Sequence, residues 1–250
     1  MNFAIKIDEK SFINKHNNSQ IEVLKNIDIN IKSKEFVCIV GPSGCGKTTL
    51  MNMIGGLIKT ENQIIEFNNK KQQIDEKFGY VFQTSRLLPW LTVKENVALV
   101  CENKSRDNER IDEILESFGL KDFINYYPKA ISGGMRRRVS LARAFINNPK
   151  VLLMDEPFVS LDQPTAENLY QVLLDYWNKN PTTIILITHV LKEAILLGDR
   201  VLFFSKNPGT VVFDYKVKSK RNPLSIENDS VNKEYNTLTQ KYPNLLNGLL

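Results

Sequence analysis

Lys47 and Thr48 close a glycine-rich run, Gly41-Pro42-Ser43-Gly44-Cys45-Gly46-Lys47-Thr48-Thr49, with the spacing G-x-x-x-x-G-K-[ST]. Glycines at 44 and 46 let a backbone fold tightly, with its N–H groups turned inward on an oxygen-rich anion. A helix beginning at the end of the run adds the attraction of its N-terminal dipole. Lys47 can reach the β- and γ-phosphates of a nucleoside triphosphate, and the Thr48 hydroxyl can bind Mg2+. Thr49 can add one more hydrogen bond to phosphate.

Two carboxylates fit the same chemistry. In VLLMDEP (151–157) four apolar residues lead into Asp155 and Glu156. Asp155 suits the shell of a Mg2+ ion. Glu156 beside it can orient and deprotonate a water for in-line attack on the γ-phosphate. Gln83 follows the apolar run GYVF, and His189 follows TIILIT. Gln83 could bind Mg2+ or position water, and His189 could donate to the γ-phosphate. Gly41, Gln83, Asp155, Glu156 and His189 each lie just past a strand-like run. Open α/β sheets bind ligands at that carboxyl end.

A second candidate cradle lies in AISGGMRRRVSLARA, where Ser132, Gly133 and Gly134 precede a basic helical pattern. It is far from the first in sequence. Two chains arranged head to tail can bring each first cradle to the partner's second one, giving two shared nucleotide sites per dimer. Arg136, Arg137 and Arg138 read as solvated or interface side chains, and three charges do not make a nucleic-acid surface.

The elements that must position these residues alternate. Strand-like runs at 36–40, 79–82, 151–154, 183–187 and 200–204 are separated by helical periodicity at 47–58, 92–101, 108–118, 134–147, 163–179 and 190–197. That order predicts an α/β fold with a mostly parallel, buried sheet. The stretch from about 86 to 148 holds helical patterns only and reads as an insertion between two strands. Residues 216–250 read as a helical tail on a domain of 1–215. The first residues, MNFAIKIDEK, alternate like a strand and lack the apolar core of a secretion signal.

The 250 residues carry a net charge of +5, too mild for a nucleic-acid stripe. Cys38, Cys45 and Cys101 form no CxxC pair, which argues against zinc or a disulfide framework. No apolar run approaches the length of a membrane span.

Taken in order, GPSGCGKTT, Gln83, ISGGM, VLLMDEP, Ser160-Leu161-Asp162 and His189 resemble the nucleotide-binding subunit of ABC transporters over roughly residues 1–215. The resemblance implies a P-loop ATPase core with an inserted helical subdomain and an N-terminal antiparallel β part. It implies ATP and Mg2+, and a dimer, most simply of identical chains, in which Ser132, Gly133 and Gly134 complete the partner's ATP site. Asp162 then belongs to the loop that crosses between protomers, and Phe12 is the aromatic stacked on adenine. Ile131 and Met135 depart from the common LSGGQ, and Met135 loses an amide. The SGGM form resembles the nitrate/sulfonate/taurine importers, which implies ATP hydrolysis that powers uptake of a small anionic or heterocyclic solute. In that group a segment like Leu87-Leu88-Pro89-Trp90 lies where the cassette meets the permease. Packing of those four residues inside the helical subdomain is the other reading. The implied partners are an integral membrane permease and, through it, an extracytoplasmic solute-binding protein. The implied place is peripheral, on the cytoplasmic face of the inner membrane. Lipid-extracting or exporting cassettes are the nearer alternative. Soluble relatives acting on ribosomes or DNA carry paired cassettes or long coiled-coil arms, and this chain has one cassette and no heptad run.

Overall fold

The structure is a computed structural model and describes residues 2–13, 18–58, 63–67, 70–71, 78–101, 107–219 and 224–249. In chain order the elements are β1 (Asn2–Ile13), β2 (Gln20–Lys32), β3 (Phe36–Val40), α1 (Lys47–Ile54), β4 (Gln63–Phe67), β5 (Lys70–Lys71), β6 (Phe78–Val81), α2 (Val93–Ala98), α3 (Asn108–Ser117), α4 (Gly133–Phe145), β7 (Val151–Asp155), α5 (Gln163–Lys179), β8 (Thr183–Ile187), α6 (Leu191–Leu197), β9 (Arg200–Phe204), β10 (Val211–Lys216) and α7 (Asp229–Lys241). They form two compact units, Met1–Glu76 with Thr183–Leu250, and Lys77–Thr182.

The first unit holds two sheets. β3 pairs in parallel with both β8 and β9, and β10 closes that edge antiparallel to β9. Every residue of β3 and β8 is buried, which is why both read as unbroken apolar runs and not as alternation. The other sheet has the order β2-β1-β4-β5, antiparallel throughout. Here one face is buried: Phe3, Ile5 and Ile7 of β1, and Leu24, Ile27, Ile29 and Ile31 of β2. Arg200 on β9 links the two sheets. It makes two bonds of 2.6 Å to the Asp214 carboxylate on β10 and one of 2.7 Å to the Asn30 carbonyl on β2. α1 stops at Ile54, before the Gly55-Gly56 pair, short of the expected 58. Gly56 takes φ +72°, which a helix cannot continue. Of the expected tail, residues 220–223 and 250 lie outside the described residues; the rest contains α7, packed on α6. Its buried Glu234 accepts from Tyr215 Oη (2.7 Å), Lys218 N (2.8 Å) and Ser219 N (2.6 Å).

The second unit is built on the parallel pair β6 and β7, with Val81 opposite Met154. Between them, only helical elements occur among the described residues; 102–106 lie outside these. Phe118, Phe145 of α4 and Tyr176 of α5 stack at 4.8–6.1 Å and form its aromatic core. α2 starts with a capping box, Thr92 and Glu95 each bonding the other's backbone N–H. No helix among the described residues is long and apolar enough to cross a membrane.

Candidate functional site

In the first unit, the 41–49 run leaves the carboxyl end of β3 and opens α1. Gly46 caps the helix at φ +97°, and Gly44 turns at φ +77°. A Cβ on Gly46 would stand 2.8 Å from Leu24 and 2.9 Å from the Val23 carbonyl, so both shape and conformation demand glycine. Lys47 is buried, and its ammonium folds back on the loop. It donates to the carbonyls of Gly41 (2.8 Å) and Pro42 (2.7 Å) and lies 3.7 Å from the Cys45 thiol. A buried ammonium held by carbonyl dipoles gains by meeting an anion. Thr48 and Thr49 occupy the first turn of α1. His189 lies two residues beyond β8 and is exposed. The Thr188 N–H bonds the Ile39 carbonyl at 3.2 Å, which brings His189 to the same sheet edge as Gly41.

A residue that sequence reasoning missed supports this loop from below. Gly209 lies so close to Cys45 that a Cβ there would stand 2.0 Å from the Cys45 carbonyl oxygen. Gly209 also exchanges backbone hydrogen bonds with β2, to the Val23 carbonyl (2.8 Å) and from Lys25 (3.0 Å). Phe12 ends the β1–β2 hairpin, opposite Ile21. It is 41% exposed, with the Lys10 ammonium 5.0 Å from its ring, so it is not a core aromatic.

In the second unit, Asp155 is the last residue of β7, Glu156 follows it, and Gln83 lies two residues past β6. Asp155 is buried and Glu156 half-buried. Glu156 takes the left-handed φ of +45°, which turns the chain sharply out of β7. Gln83 Nε2 donates to Glu156 Oε2 at 3.1 Å. The amide oxygen of Gln83 is thereby the atom left to face a cation. Burial, and the Asp155 carboxylate nearby, push the Tyr80 phenol well above its ordinary pKa, so it stays neutral behind the carboxylates. A hydroxyl on Thr48, a carboxylate on Asp155 and an amide oxygen on Gln83 are hard oxygen donors, the chemistry Mg2+ takes. Among the described residues no group of three or more His, Cys, Asp or Glu is placed to hold a metal ion.

Ser132 is the N-cap of α4, its hydroxyl accepting from Met135 N at 3.2 Å, so its own O–H remains to donate. Gly134 packs on α5: a Cβ would meet the Thr165 methyl at 2.7 Å. Thr165 is held by Asp162, the N-cap of α5, which accepts from its N–H (3.2 Å) and hydroxyl (3.0 Å). These bonds hold the Asp162 carboxyl below its ordinary pKa. The signature turn and the Asp162 loop are thus neighbours.

Leu87 and Leu88 are half-buried, while Pro89 and Trp90 are exposed, Trp90 by 69%. Asn96 of α2, fully buried, shapes this turn. Its Oδ1 accepts from Leu88 N (2.8 Å), and its Nδ2 donates to the carbonyls of Leu88 (3.1 Å), Leu91 (3.0 Å) and Thr92 (2.9 Å). Nearby, Tyr80, Phe82, Leu99 and Val100 line a cavity of about 320 Å³. The expectation for Arg136–Arg138 is a solvated or interface face. All three are half-buried, and each donates to a main-chain carbonyl: Pro128 and Ile131, Phe82, and Phe118 respectively. Loop carbonyls without ladder partners take a guanidinium as readily as solvent does.

The family described as ABC transporter matches residues 24–159. An aliphatic sulfonates import ATP-binding protein of Bacillus subtilis is 40% identical over 213 residues, 84% of this chain and 83% of its own length. A taurine import ATP-binding protein of Ruegeria pomeroyi is 39% identical over 206 residues, 80% of this chain and 77% of its own. Among solved structures, a dimeric ATP-binding cassette in a post-hydrolysis state bound to ADP and Pi superposes with a TM-score of 0.73 at 32% identity, covering 87% of this chain and 100% of that one.

Proposed function

The chain belongs to the ABC transporter family, and from that premise we propose that it is the ATP-hydrolysing subunit of an importer for a small sulfonate-type solute. The relatives named for aliphatic sulfonates and for taurine support that solute class. The observation that carries the hydrolytic part is the 3.1 Å bond from Gln83 to Glu156, beside Asp155 at the end of β7. It supplies a carboxylate held by an amide that can also sense what binds next to it.

The N–H groups of Gly41–Thr49 and the Lys47 ammonium bind the phosphates of ATP. On binding, Lys47 exchanges the carbonyls of Gly41 and Pro42 for phosphate oxygens. Phe12 stacks on the adenine. Thr48, Asp155 and the Gln83 oxygen would hold Mg2+, which when bound would offset the charge on the phosphates. Glu156 orients a water and takes its proton as the oxygen attacks the γ-phosphorus. His189 donates to the γ-phosphate. Ser132, Gly133 and Gly134 of a second copy close over the nucleotide, and Asp162 lies in the loop between the copies; the dimeric cassette above supports that arrangement. Leu87, Leu88, Pro89 and Trp90 dock a membrane permease, which holds the subunit at the cytoplasmic face of the membrane, and a solute-binding protein outside delivers cargo to that permease. A ligand shifts such an equilibrium only by its differential affinity for the open and closed dimers. The γ-phosphate is that difference.

Glu156→Gln should bind ATP normally, hydrolyse it at least about 100-fold more slowly, and accumulate as a dimer with Mg2+ and ATP on size-exclusion chromatography with light scattering. Normal turnover by this variant would sink the base assignment. The same variant, tagged and recovered from native membranes with Mg2+ and ATP, should carry a polytopic permease. Recovery of ribosomal or repair proteins without a permease would end the import reading and leave the ATPase standing.

A further inference from the structure

The helix that starts at Ser132–Gly134 also grips the loop that carries Gln83. Along α4, Arg137, Ser140 and Arg143 follow at spacings of three and share one face. Arg137 Nη1 donates to the Phe82 carbonyl at 3.1 Å. Arg143 forks: Nη1 donates to the Arg86 carbonyl and Nη2 to the Ser85 carbonyl, each at 2.9 Å. Between the two arginines, the Ser140 hydroxyl is 1% exposed and makes no hydrogen bond. The polar grip of this face on the loop therefore rests on two guanidinium groups. Both lie deep enough that burial pulls their pKa below the ordinary value.

The loop needs such a grip. It follows the end of β6 and runs irregularly, with Arg86 at a left-handed φ of +44°. The Arg86 guanidinium lies 3.6 Å above the Phe82 ring, which stacks on Tyr80 at 4.1 Å. Gln83 sits between the carbonyls that the two arginines hold. Its reach to Glu156 depends on where residues 82–86 are kept.

We propose that Arg137 and Arg143 are positioning residues that splint the Gln83 loop to α4 and so keep Gln83 within reach of Glu156. The proposal rests on the role given to Gln83 above. Arg137 and Arg143 touch no nucleotide; they act through the main chain that Gln83 hangs from.

The test compares Gln83→Ala, Arg143→Met and the double variant in the full-length chain, by steady-state ATPase and by binding of a fluorescent ATP analogue. Each single variant should lower kcat about tenfold or more, with KM for ATP within about twofold. The double variant should be no slower than the slower single. Arg137→Lys should recover most of the rate lost in Arg137→Met, because one ammonium can serve the single Phe82 carbonyl. Arg143→Lys should not recover, because it replaces a rigid fork by a point donor. Losses that multiply in the double variant would overturn the splint and leave the role of Gln83 intact. Normal turnover by Gln83→Ala would overturn that role and the splint together. Should Arg143→Met fail to fold, Arg137→Met decides: its loss should likewise not multiply with that of Gln83→Ala, and losses that multiply overturn the proposal.

Discussion

Gly209 shows how far a phosphate loop depends on residues outside its own motif. The motif spacing accounts for Gly44 and Gly46, whose positive φ angles any reader of the sequence can anticipate. It says nothing of Gly209, more than 160 residues on, whose missing side chain lets the chain pass directly beneath Cys45. Gly209→Ala places a methyl 2.0 Å from the Cys45 carbonyl oxygen, which nothing short of moving the loop can relieve. The expected result is a KM for ATP raised about tenfold or more, in a chain that still folds. An unchanged KM in isothermal titration or steady-state assays would mean that the 205–210 turn gives way instead. His189, by contrast, was readable, because a polar residue after an unbroken apolar run marks a strand's carboxyl end.

At the scale of elements, the strands β3, β7, β8 and β9 were legible because both faces are buried and each holds at least four consecutive apolar residues. β10 was not: its residues are half-exposed or exposed, and Arg200 and Asp214 hold it by charge, which leaves no apolar period to read. β2 escaped because Lys25 and Asn26 break the alternation before Ile27 resumes it. The half-burial of Arg136–Arg138 was hidden for a related reason. Sequence shows their charge, but not the loop carbonyls that bring them inward. Asn96 is the clearest case of a hidden brace. Its side chain bonds the main chain of the Leu88–Thr92 turn at four points. Asn96→Ala leaves buried backbone groups unsatisfied and should cost about 3 kcal/mol in denaturant unfolding. Basal ATPase should survive at temperatures where the chain remains folded. Stimulation by the reconstituted permease should fall several-fold, since the exposed Trp90 is no longer aimed. Equal loss of basal and stimulated rates would remove Asn96 from the docking argument.

For the whole molecule, the conformation of Glu156 has a consequence that concerns selection more than chemistry. A non-glycine residue at φ +45° costs on the order of 1 kcal/mol against its relaxed form. A net stability of only about 5–15 kcal/mol makes that a noticeable share. Asparagine tolerates the left-handed region better than glutamate. Glu156→Asn should therefore melt at or above the temperature of the unaltered chain, while its ATP turnover falls to background. A lower melting temperature would show that the turn after β7 is relaxed as it stands. If the expected order holds, a library of this protein screened for thermal stability alone would drift away from glutamate at 156. The chain that folds best and the chain that works would be different sequences, and only a screen that measured turnover would keep them the same.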